Sequence, residues 1–216
     1  VFFGVAARGM ETGRHRGAAA ALLALAGLTH LFAAFFSLVC LLALWLVRPG
    51  VRTTAWLAVV GPLAGLLSAF WVLPFFWNRS LLNDMGWGKE RRYVAALWDR
   101  SGSFGDQTFL ANDPPLQVLI VLAVIGAVLC GVRRVRFGMA TTMVAVAFAA
   151  LFLLLPEGRL WNVRLLPYYY LSINFMAAIA VAEIGRLLAS ATRLFGSGRR
   201  AFAAAFAPAV LALSLI

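Results

Sequence analysis

Acid is what this chain has least of. Among 216 residues there are eight Asp or Glu, two His and two Cys. Charged residues of both signs make up 12%, about half the ~25% usual for a soluble domain. A water-facing globular surface is hard to build from so little charge. Cys40 and Cys130 both lie inside apolar runs and read as small hydrophobes, not as a disulfide or metal pair. No Asp-x-Asp pair occurs, so a metal-bound nucleotide-sugar site has no support.

What the chain has in excess is hydrocarbon, at 63% of residues. This composition predicts an integral membrane protein. The expected fold is an all-α, polytopic transmembrane helix bundle of about five to seven membrane segments, forming one domain over 1–216. The balance of 19 Lys and Arg against eight acids gives +11. In a soluble protein that charge would point to nucleic acid, but here the basic residues sit in short connections between apolar runs, where they orient a protein in its membrane. With no basic stripe on a soluble domain, nucleic-acid binding is excluded. The chain opens on Val1-Phe2-Phe3 and closes on an apolar run from Ala201, so it is expected to be a slice of a longer protein. It shows no signal sequence, so insertion falls to spans within or upstream of it.

In chain order, 1–7 reads as the tail of a span and 8–16 as a basic connector. The apolar run 17–47 would be about 46 Å long as one helix, against about 30 Å of hydrocarbon. Gly27, Thr29 and His30 interrupt it and both ends are basic, so it is either a broken or re-entrant pair of half-helices or one tilted helix. His30 is the strongly polar residue of this run. It is a ligand-binding candidate as an intramembrane ionisable group, or equally a histidine satisfied by a neighbouring backbone group. The next span, 54–76, ends in an aromatic anchor around Pro74, which is expected to kink or end the helix.

From 78 to 113 the chain is expected outside the bilayer, in a loop holding Asp84, Glu90, Asp99, Asp106 and Asp113. Within it, 91–100 places Tyr93, Val94, Leu97 and Trp98 on one face, the pattern of an interfacial helix. Asp113-Pro114-Pro115 then suits a helix start. Three spans follow at 116–130, 138–155 and 167–188. Arg133, Arg134 and Arg136 place the loop between the first two on the cytoplasmic side, as Arg193, Arg199 and Arg200 do for the connector after the third. Glu183 and Arg186, three apart, are expected to pair.

The stretch 156–170, PEGRLWNVRLLPYYY, is polar between two apolar runs. Arg159 and Arg164 carry forked donors matched to phosphate oxygens, and Pro167 suits the first turn of the next helix, whose free N–H groups favour an anion. The alternative is that the arginines snorkel to headgroups while the tyrosines form an aromatic belt. Asp84, Trp87 and Lys89 form a second cluster, with an indole in a glycine-flanked turn that suits either sugar stacking or packing on the membrane.

GLTHLFAAF (27–35), AFWVLPFFW (69–77), NDMGWGKE (83–90) and GRLWNVRLLPYYYL (158–171), in that order, resemble a bacterial family of multispanning membrane proteins, the 6-pyruvoyl-tetrahydropterin-synthase-related membrane proteins. The resemblance covers nearly the whole chain, and the last two motifs are its most specific part. The soluble pterin enzyme itself is not resembled, since its zinc site needs three histidines and only His15 and His30 are present.

The membrane family is similar in architecture to GT-C glycosyltransferases, which transfer a sugar from a polyprenyl-phosphate donor at the outer membrane face. The resemblance implies a multi-pass protein of the bacterial plasma membrane, with membrane lipid and a polyprenyl-phosphate sugar donor as partners. In this reading Arg159 and Arg164 hold phosphate, Asn162 bonds phosphate or sugar, and Trp161 and Tyr168 pack on isoprenoid or sugar. The implied catalytic carboxylate would lie upstream of residue 1, so no catalytic residue, metal or cofactor is assigned. A transporter or lipid flippase, with His30 at a helix break, and a non-catalytic assembly partner are the competing classes.

Overall fold

The computed structural model describes residues 1–81, 94, 97–98, 116–155 and 162–195. Within these residues the protein is all-α, and no strand occurs among them. Seven α-helices are described: α1 (Phe2–Thr12), α2 (Arg16–Thr29), α3 (Leu31–Val47), α4 (Val51–Trp77), α5 (Leu116–Val132), α6 (Arg136–Leu154) and α7 (Leu166–Phe195). By length and composition α4, α6 and the segment Asn162–Leu187 can each cross a membrane, while α2, α3 and α5 are shorter apolar helices. These six apolar segments fall within the expected five to seven. The helices form two compact units, one holding α1–α4 and the other α5–α7.

In the first unit the long apolar run is broken. α2 ends at Thr29, His30 is extended (φ −165°, ψ 135°), and α3 starts at once. Two collinear helices would hold Arg16 and Arg48 about 48 Å apart. Instead Arg48 reaches Glu11 at 3.3 Å, close in sequence to the start of α2, and α2 packs on α3. The pair is therefore a hairpin whose tip, at His30, stands about 21 Å from its base, short of the ~30 Å hydrocarbon thickness. This is the re-entrant alternative of the sequence reading.

Two tryptophans lock the base. Trp56 is fully buried and its indole N–H donates to the Arg14 carbonyl at 2.8 Å. Trp45 donates to the Thr54 hydroxyl at 3.0 Å.

One boundary corrects the sequence reading and one of its alternatives falls. The connector expected over 8–16 is helical as far as Thr12, because α1 stops only where Gly13 takes a left-handed conformation (φ 74°) and returns its N–H to Gly9. Of the two outcomes expected at Pro74, a kink or an end, the helix does not end there. α4 runs on to Trp77, where the Asn78 side chain and backbone N–H both donate to the Pro74 carbonyl, at 2.8 and 3.0 Å. A proline so near a C-terminus displaces a single interior hydrogen bond, which the asparagine cap offsets.

α4 exposes Leu66 (74%), Phe70 (72%) and Leu73 (66%). An apolar strip of that size would drive aggregation in water and is neutral against lipid tails.

In the second unit α5 and α6 each lie against α7. A Cβ on Gly126 would strike the Met176 carbonyl oxygen, and one on Gly138 would strike the Cys130 sulfur. These glycines let α5 approach α7 and, near the connecting turn, let α6 approach α5. Cys40 and Cys130 are free and buried. The spans expected at 116–130, 138–155 and 167–188 match α5, α6 and α7, with α7 continuing to Phe195.

Candidate functional site: a lateral cavity between three helices

α5 and α6 meet tightly at Cys130 and Gly138 and leave a gap farther from their turn, over α7. The gap is a cavity of about 250 Å³. Ala123 and Ala127 of α5 face Ala145 and Ala149 of α6, and Tyr169, Ile173 and Met176 of α7 form the floor. The alanines recur at four-residue spacing, so each helix turns one small-residue stripe to the gap.

Its few polar groups are already engaged. The Thr142 hydroxyl donates to the Gly138 carbonyl at 3.0 Å and lies 3.7 Å from the Met176 sulfur. The Tyr169 hydroxyl donates to the Leu97 carbonyl at 3.2 Å. What the cavity offers a guest is therefore hydrocarbon. Its volume exceeds the ~150 Å³ that accommodates a benzene and falls below the ~300 Å³ of a small drug-sized pocket. A length of alkyl or isoprenoid chain suits that space.

Of the residues picked out from sequence, Arg159, Trp161, Asp84, Trp87 and Lys89 lie outside the described residues. Asn162 is buried, and its side-chain amide donates to the Leu155 carbonyl at 3.0 Å, joining the two ends of the 156–161 segment. Arg164 is exposed on a 3-10 turn, Asn162–Leu165, in the first unit. Pro167 is the second residue of α7, one position from its expected place.

Tyr168 is half-buried with its ring 5.4 Å from Phe148, whereas its neighbour Tyr169 is the tyrosine that lines the cavity. His30 is exposed at the hairpin tip. Its Nδ1 accepts the Phe32 N–H at 3.1 Å, making it the N-cap of α3. Of the interfacial face expected over 91–100, Leu97 is buried while Val94 and Trp98 are exposed, and the Leu97 N–H donates to Val94 at 3.2 Å.

Glu183 pairs with Arg186 as expected, at 2.6 Å, and also with Arg133 from the end of α5. Sequence reasoning missed that second partner, along with the cavity. The available signal for the cavity was the Ala123/Ala127 and Ala145/Ala149 spacing facing the 4-3 repeat of Tyr169, Ile173 and Met176. No His, Cys, Asp and Glu cluster able to hold a metal occurs among the described residues.

Fold and cavity together define a class: an all-α membrane protein with a chain-sized apolar recess among its helices. Beyond that class the comparisons add nothing, since no protein family, curated protein or solved structure matches this chain.

Proposed function

We propose that this protein binds a lipid-linked phosphate, and that its reaction class is GT-C-like glycosyl transfer from a polyprenyl-phosphate sugar donor at the outer face of the cell membrane. The observation that carries the lipid part is the cavity, whose internally satisfied lining suits an isoprenoid segment and offers nothing to a polar solute. The phosphate part rests on the sequence. Arg159 and Arg164 supply forked donors next to the start of α7, and Arg164 is exposed. Transition-state charge on a departing lipid phosphate is stabilised by such fixed cations. The chemistry also needs a carboxylate to accept the acceptor's proton, and no residue described in this chain is assigned that role.

Binding of polyprenyl phosphate to the full-length protein in nanodiscs tests the reading. Arg159→Ala and Arg164→Ala are each expected to weaken it about tenfold, the scale of one charge-assisted contact. Wild-type affinity in both variants would remove the phosphate site.

A second reading, transport or lipid flipping, is favoured by one observation, the helix break at His30. Broken helices of this kind build substrate sites in transporters. Movement of a fluorescent lipid between leaflets of proteoliposomes, lost in His30→Ala, would select it over the transferase.

A further inference from the structure

The turn joining α5 to α6 is built at a conformational disadvantage. The Val135 N–H returns to the Cys130 carbonyl at 2.8 Å and the Arg134 N–H to the Gly131 carbonyl at 3.1 Å. This is the Schellman pattern that closes a helix, and its left-handed position is normally glycine. Here Arg134 occupies it, at φ 54°. A side chain kept where glycine fits better points to a use for that side chain.

Its surroundings supply the use. Arg133, Arg134 and Arg136 fall within four residues, and Arg186 joins them through Glu183, which binds both Arg133 and Arg186. Glu183 is thus already shared between two guanidinium groups. The side chains of Arg134 and Arg136 are exposed and have no partner among the described residues. Two of these four cations therefore meet one carboxylate, and the other two stand free at the turn between α5 and α6. Glu183 also continues the α7 line of Ile173, Met176 and Ala180, which are buried, and is only 15% exposed. The carboxylate holds the inner two arginines in place and leaves the outer two unneutralised.

We propose that this turn is a headgroup site for an anionic phospholipid, with Arg134 and Arg136 as the phosphate ligands and the Arg133–Glu183–Arg186 cluster as the frame that holds the turn. Charge complementarity selects the occupant. Unneutralised guanidiniums at the ends of lipid-facing helices lie at headgroup depth, and the excess charge rejects a zwitterion in favour of an anion. The site is independent of the donor reading, which uses other residues.

The test uses the full-length protein in nanodiscs with spin-labelled phosphatidylglycerol or spin-labelled phosphatidylcholine, and measures the ratio of motionally restricted anionic to zwitterionic lipid. Wild type is expected to prefer the anionic lipid, and Arg134→Gln and Arg136→Gln should each reduce that preference by about fivefold, the contribution of one surface arginine. Arg134→Gly separates structure from binding. It relieves the left-handed backbone, so the expected result is a raised melting temperature with the same loss of lipid preference. Unchanged preference in Arg134→Gly and Arg136→Gln, or equal loss on substituting Arg8 of α1, overturns the proposal.

Discussion

Single side chains do three kinds of work here: capping, pairing and filling. His30 caps α3 through Nδ1, so His30→Ala should destabilise the hairpin by about 1 kcal/mol while His30→Asn restores most of it. Thermal unfolding in detergent would measure both. Glu183 is the only acid facing Arg133 and Arg186 among the described residues. Its replacement by Gln should cost about 1 to 2 kcal/mol, and a cycle with Arg133→Gln should show the two changes to be less than additive.

The sequence made the Glu183–Arg186 pair legible because three residues along a helix fixes proximity. It left Arg133 hidden, since a contact across 50 residues depends on how α5 meets α7. Tyr168 and Tyr169 show the same limit. Three consecutive tyrosines on a helix point in three directions, and only packing decides which one lines a cavity.

At the scale of elements, hydrophobic runs and basic ends were sufficient to place the helices, and mostly to within a few residues. A break at His30 was one of two readings of 17–47, because an untilted helix of that length exceeds the hydrocarbon thickness. Choosing the fold-back over one tilted helix rests on Arg48 reaching Glu11 and on Trp56 reaching the Arg14 carbonyl, contacts that sequence spacing does not give. The fold-back predicts that cysteines placed at Gly17 and Gly50, in a background lacking Cys40 and Cys130, react with an impermeant maleimide from the same side, and one at Ser80 from the opposite side. Labelling of 17 and 50 from opposite sides would mean a continuous crossing.

Pro74 was read as a kink or an end of α4, and the helix continues past it. So near the C-terminus a proline costs little, and Asn78 was present to cap the turn. Gly126 leaves no room for a side chain against the Met176 carbonyl of α7, so Gly126→Leu should lower stability by about 3 kcal/mol or more, read as loss of monodisperse protein in detergent.

For the molecule as a whole, length, hydropathy and charge placement were enough to identify an all-α membrane protein. The cavity was beyond that reading, because a void is set by where helices fail to touch. Small residues mark such places and mark tight helix contacts equally well. The apolar recess among α5, α6 and α7 and the arginines proposed to hold phosphate are separable, and each can be tested without the other.

The most direct measurement is photocrosslinking of the full-length protein with a polyprenyl phosphate carrying a diazirine near the middle of its chain, followed by peptide mapping. The account predicts adducts on α5 and α6 around Ala123–Ala127 and Ala145–Ala149, competed by unlabelled polyprenyl phosphate and reduced by Ala127→Trp. Adducts spread evenly over the lipid-facing surface of α4 and α5, unaffected by the competitor or by the tryptophan, would contradict it.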